Sequence, residues 1–180
     1  AFAGNGIGAI EKIVYQSSPI SLNGTPPPEG WIFTYDDFSR NNALTNIQNP
    51  STYGITLASR MYAIPGATGA CIDNSPQFLQ EPHFASCVGE PYEYNSNPVD
   101  IDLDSISVSF GHPLNNIQGT VFDPPNDPIE LPYEPGFSLN SPTPGTGMNP
   151  GNIPANLDPN TGNLTFLSNN SGSFAIKMVT

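Results

Sequence analysis

Between Trp31 and Tyr35 apolar side chains fall at every second position, with Trp31, Phe33 and Tyr35 set against Ile32 and Thr34. Ile55, Leu57 and Met61 alternate in the same way with Thr56, Arg60 and Tyr62. A period of two sends successive side chains to opposite faces of an extended chain, so both stretches are predicted as half-buried strands. Ile10–Tyr15 reads as another strand, as does Ser105–Phe110, where Ile106, Val108 and Phe110 alternate with serines. Leu164 and Phe166 precede a turn at Ser168–Gly172. Phe174, Ile176 and Met178 alternate with Ala175, Lys177 and Val179 up to the last residues, a strand pattern cut at the end that predicts a longer parent protein. Helical period is scarce: Asp36–Asn46, the one candidate stretch, carries paired asparagines and too few apolar positions for an amphipathic stripe. The expected class is all-β.

Breakers divide these strands into groups. Asn23-Gly24 and Pro26-Pro27-Pro28 punctuate Ser18–Gly30. Ile64-Pro65-Gly66-Ala67-Thr68-Gly69 is a second breaker-rich connector, after which the strand spacing starts afresh. The expected organisation is an N-terminal β-sandwich unit over 1–68 and a second sandwich over 69–180. Pro124–Gly151 holds eight prolines, at 124, 125, 128, 132, 135, 142, 144 and 150. A proline nitrogen donates nothing to a ladder, so this stretch is expected to be edge strand and long surface loops.

Composition narrows the partners. Among 180 residues there are 4 basic and 16 acidic groups, a formal charge of −12, which repels nucleic acid and anionic membrane surfaces. Charged residues make up only 11%, so polarity comes mainly from Asn, Ser, Thr and Gln, as in secreted β-rich proteins. Proline (21) and glycine (17) together stay below the roughly 25–30% of low-complexity chains, so a packed core is expected.

The candidate chemistry is sparse. Asp100, Asp102 and Asp104 would project to one side of an extended segment, where like charges repel unless a cation sits between them. Asp73, near the expected boundary, is a fourth oxygen donor that folding could bring to the cluster, and hard carboxylate oxygens suit Ca²⁺. An EF-hand is excluded, because its sixth and twelfth positions would be Ser105 and Gly111. The competing reading is a solvated acidic loop held by Asx turns. Cys71 and Cys87 suit a disulfide in an oxidising compartment, adding ~3 kcal/mol in the chain-entropy treatment, with two buried free thiols as the alternative. His83 and His112 flank prolines and lie near no nucleophile signature, so no enzymatic activity is expected. Trp31, Tyr92, Tyr94 and Tyr133 are candidates for stacking on sugars, Trp31 equally for a core anchor.

The order of several motifs adds a resemblance. Asn74-Ser75-Pro76-Gln77-Phe78, Cys87-Val88-Gly89-Glu90-Pro91-Tyr92, Asp100-Ile101-Asp102-Leu103-Asp104-Ser105 and Leu157-Asp158-Pro159-Asn160-Thr161-Gly162-Asn163-Leu164 follow one another. This order resembles the cadherin-like or Ig-like repeats of large Bacteroidetes cell-surface adhesins, including gliding-motility adhesins exported by type IX secretion. The likeness covers Cys71–Thr180, and Trp31–Asp37 with Arg40–Ile47 resembles the segment preceding that module. Two departures stand out: Phe38-Ser39 occupies the place of a family Cys-Cys, and Leu103 that of a family Gly. Asp104-Ser105-Ile106 resembles the site at which Bacteroidetes O-glycosylate exported proteins, which makes Ser105 a glycosylation candidate.

The resemblance implies two consecutive Ig-like or cadherin-like sandwiches in an extracellular rod of repeats. Its partners are neighbouring repeats and an adhesion target such as a surface polysaccharide, with calcium at Asp73, Asp100, Asp102 and Asp104 stiffening the joint. The alternatives are a carbohydrate-binding module of a secreted polysaccharide-degrading protein and a filament subunit assembled by strand exchange.

Overall fold

The computed structural model describes residues 14–63, 66, 74–81, 85–117 and 128–180. Among these residues there are nine β-strands, one 3-10 turn at Pro50–Thr52 and no α-helix, so the chain is all-β. Most of the expected strand at Ile10–Tyr15, the connector at 67–70 and His83 lie outside the described residues.

β1 (Trp31–Asp37) and β2 (Ile55–Met61) pair antiparallel along their whole length, from Trp31 opposite Met61 to Asp37 opposite Ile55. Opposite residues share a face, so Trp31, Phe33, Tyr35, Ile55, Leu57 and Met61 lie together, as the alternation requires. That face is less covered than a half-buried strand predicts: Phe33 is 46% exposed and Leu57 57%. Among the described residues the two strands form a sheet of their own, with no third strand beside them.

β3 (Gln77–Phe78) pairs with β5 (Pro98–Val99) in a short ribbon. β4 (Pro91–Asn95), β8 (Asn163–Leu167) and β7 (Ile153–Leu157) form a three-stranded antiparallel sheet with β8 in the centre. The β7–β8 hairpin follows from its loop residues. Asp158 Oδ1 accepts the amides of Asn160 (2.8 Å) and Thr161 (3.2 Å), and Gly162, at φ +68°, donates its amide to Asp158 O at 2.9 Å.

Tyr94, Ala155 and Leu164 of this sheet form the buried core, with Phe110, Ile176 and Met178 packed on it. Phe110 and Met178 come from β6 (Ser109–Gly111) and β9 (Lys177–Val179), which pair antiparallel. β6 is shorter than the serine-alternating pattern predicts. Its approach, with Val108 2% exposed, is held by a bond from Val108 N to Pro159 O in the β7–β8 loop.

Polar side chains join distant stretches of the chain. Asn46, fully buried, donates Nδ2 to Pro142 O (2.8 Å) and Ala175 O (2.9 Å), and its Oδ1 accepts the Ala175 amide (2.9 Å). Asn115 Oδ1 accepts the Gly54 amide, and Thr56 Oγ1 donates to Asn115 O. Arg40 donates Nε to Gly54 O and Nη2 to Leu114 O. Apart from the Arg40–Gly54 bond, these contacts cross the expected boundary at 68, joining residues 40–56 to 114–115, 142 and 175.

The proline-rich stretch departs from expectation in part: Pro132, Pro135 and Pro150 are exposed in irregular chain, as expected. Leu131, Pro142, Thr143 and Pro144 are buried rather than looped over the surface. A buried proline leaves only its carbonyl to satisfy, and here Asn46 supplies the donor for Pro142 while Thr143 Oγ1 accepts the Ala155 amide at 2.9 Å.

Candidate functional site

The acidic segment is a turn, not an extended strand. Asp100 Oδ1 accepts the amides of Asp102 (2.8 Å) and Asp104 (3.3 Å), so its carboxylate closes the loop on itself. The Asp102 carboxylate in turn accepts the Asn74 amide at 2.7 Å and Asn74 Nδ2 at 3.0 Å. The Asp100 bonds are local Asx-turn contacts and the Asn74 bonds tie the turn to a distant segment, while among the described residues no three His, Cys, Asp or Glu side chains gather into a cation cradle. Asp73 lies outside the described residues. The turn also lifts Leu103, 90% exposed at φ +66°, and Ile101, 77% exposed, into solvent.

Ser105, beside this turn, is exposed. Cys87 is exposed as well, and Cys71 lies outside the described residues.

The aromatic candidates do not form a row. Tyr94 is only 5% exposed and donates its hydroxyl to Gln80 O at 2.7 Å, so it is a core residue. Tyr92 stacks on Phe166 across the β4–β8 pair at 4.7 Å. Tyr133 sits 5.8 Å from the His112 ring, and burial, helped by Glu130, raises its hydroxyl above the usual range. Trp31 is half-buried at the start of β1.

A broad cleft of about 1400 Å³ lies between the β1–β2 ribbon, β9 and the acidic turn. Its β1–β2 wall is apolar, with Phe33, Leu57 and Met61, and Leu22 and Phe78 add to the lining. Asp100, Asp104 and Glu130 supply negative charge, Arg60 and Lys177 positive. Arg60 is directed across the ribbon, its Nη1 donating to Glu29 O at 3.1 Å. Lys177 is half-buried, and desolvation lowers its pKa against the opposing pull of Glu130. Glu130 Oε2 also lies 3.6 Å from His112 Nε2. The cleft thus offers an apolar wall, a neighbouring acidic turn and one half-buried cation, an arrangement suited to binding.

Sequence reasoning found the strands that build the ribbon but not the cleft, because nothing in the periodicity of β2 shows that its apolar face stays open. It also missed Asn46, whose partners lie 96 and 129 positions away.

No family model matches the chain, and neither the curated proteins nor the solved structures contain a match to it.

Proposed function

We propose that this chain is a non-enzymatic module of a large bacterial cell-surface adhesin, working outside the cell to extend and present an adhesive surface in adhesion or gliding motility. The observation that carries the reading is the apolar face of the β1–β2 ribbon, left open beside a cleft. Exposed apolar surface of this kind marks sites of interaction with other molecules. The order of motifs shared with Bacteroidetes adhesin repeats supports the same reading, and the Leu157–Leu164 motif folds into the turn its residues favour.

On this reading the three-stranded sheet and the β6–β9 pair, which share the Tyr94–Leu164 core, are two layers of an Ig-like or cadherin-like sandwich. The bonds from residues 40–56 to the far end of the chain brace the ribbon against it, as a module under tension requires. A carbohydrate-binding role draws little support, since Tyr94 is a core residue. Calcium stiffening would need further ligands, since Asp100 Oδ1 and the Asp102 carboxylate already accept amides.

Beads coated with the chain test the reading by their retention under flow on polysaccharide-coated and protein-coated surfaces. Retention above that of bare beads, reduced by Phe33→Glu in a protein of unchanged melting temperature, is the expected result. Retention equal to bare beads on every surface sinks the adhesive role.

A further inference from the structure

We propose that the outer edge of β2, from Ala58 to Met61, takes up an extended, basic segment of a partner polypeptide as an added strand. This inference rests on the adhesive-module reading and names the partner's chemistry.

The geometry begins at Thr56. Its amide donates to Leu114 O at 3.3 Å, on the side of β2 away from β1. The N–H and C=O of a strand residue point to one side and alternate along the chain, so Ala58 and Arg60 also turn their backbone groups to that outer edge. Ala58 and Arg60 are both exposed, and in the described sheets β2 pairs with β1 alone. Among the described residues the edge therefore has a backbone neighbour at Thr56, and beyond it the edge faces the cleft.

An added strand would set alternate side chains beside Leu57 and Met61, on the apolar face shared with Phe33 and Tyr35. It would also supply the third strand that a two-stranded ribbon needs for independent stability. Only a polypeptide presents amides at the spacing of such a ladder, which excludes a glycan at this edge.

Charge selects among polypeptides. Asp100, Asp104 and Glu130 line the cleft against Lys177 and Arg60, which leaves a surplus of negative charge, and the Arg60 guanidinium is drawn across the ribbon to Glu29 O. The whole chain carries −12, so a basic segment is attracted while a second copy is repelled.

The test uses the whole chain and an eight-residue synthetic peptide alternating Val and Lys, followed by calorimetric titration at low salt. Two control peptides replace every Lys by Glu or place Pro at alternate positions. The expected result is binding of the Val–Lys peptide at least tenfold tighter than either control, with slowed hydrogen exchange at the Ala58 and Arg60 amides. Ala58→Pro, which removes an outward amide, and Leu57→Lys should each abolish binding with unchanged melting temperature. Equal binding of the proline peptide, no binding of the Val–Lys peptide, or self-association in sedimentation that protects the same amides would each overturn the inference. Bead retention without peptide binding would overturn it while leaving the adhesive reading standing.

Discussion

Replacing Asn46 with alanine should cost this chain a large part of its stability. The side chain is 0% exposed and makes three hydrogen bonds, to Pro142 O, Ala175 O and the Ala175 amide. Truncation leaves those groups with a lost partner in a buried site, at ~1–3 kcal/mol for each group left unsatisfied. Partial relaxation keeps the sum toward the lower end, about 3–5 kcal/mol, against a typical total of roughly 5–15 kcal/mol. At ~2–4 °C per kcal/mol for a chain of this size, the melting temperature should fall by about 6–20 °C. Thermal and urea denaturation followed by Trp31 fluorescence measure the loss. Asn46→Asp supplies a second signature, because a carboxylate there faces two carbonyl oxygens and is held above its ordinary pKa by repulsion and burial. A raised folded-state pKa in an acid means the penalty is absent below the unfolded pKa near ~4 and grows as pH rises toward the folded value. A loss below about 1 kcal/mol for alanine, or an aspartate penalty independent of pH, would refute the network and with it the brace between the two halves of the chain.

Three further substitutions probe separate elements. A Cβ at Gly54 would lie 2.5 Å from Asp37 O and from Asn116 Cβ, so Gly54→Ala should destabilise by ~1–3 kcal/mol or more in urea unfolding, and a neutral result would show that β1 and β2 sit further apart. Leu103 holds φ +66°, a conformation costing an L-residue ~1–2 kcal/mol, so Leu103→Gly should raise the urea midpoint once chain entropy is offset, and a lowered midpoint would argue against the turn. The Tyr35 hydroxyl is pushed up to about 12, first by its hydrogen bond with Tyr15 and then by burial and neighbouring charge. Because its folded-state pKa lies above the unfolded value, the stability it contributes is complete below about pH 10 and is lost as pH rises toward 12. Tyr15→Phe should bring the latest tyrosinate absorbance step back toward 10, and an unchanged titration would mean that the hydrogen bond between the two hydroxyls does not form in solution.

What the chain's own residues determined is local. The alternation at Trp31–Tyr35 and Ile55–Met61 specifies two strands because the strand period is two, and it also assigns their apolar residues to one shared face. Asp158-Pro159 and Gly162 specify the β7–β8 hairpin because its hydrogen bonds close within a few residues. Asp100 chose its neighbouring amides over an extended row of carboxylates for the same reason: local donors are within reach before any distant partner.

The tertiary structure decided whatever depends on partners far along the chain. Proline spacing marks Pro142 and Pro144 as poor ladder residues, yet they are buried because a proline asks little of its surroundings beyond a donor for its carbonyl, supplied for Pro142 by Asn46 from 96 positions away. The same holds for Tyr94, whose place in the core is settled by β8 and β7 packing beside it. The cleft follows this rule too, since the freedom of the β2 edge depends on how far the stretch around Leu114 runs beside it, a matter of long-range placement that no period in the sequence records.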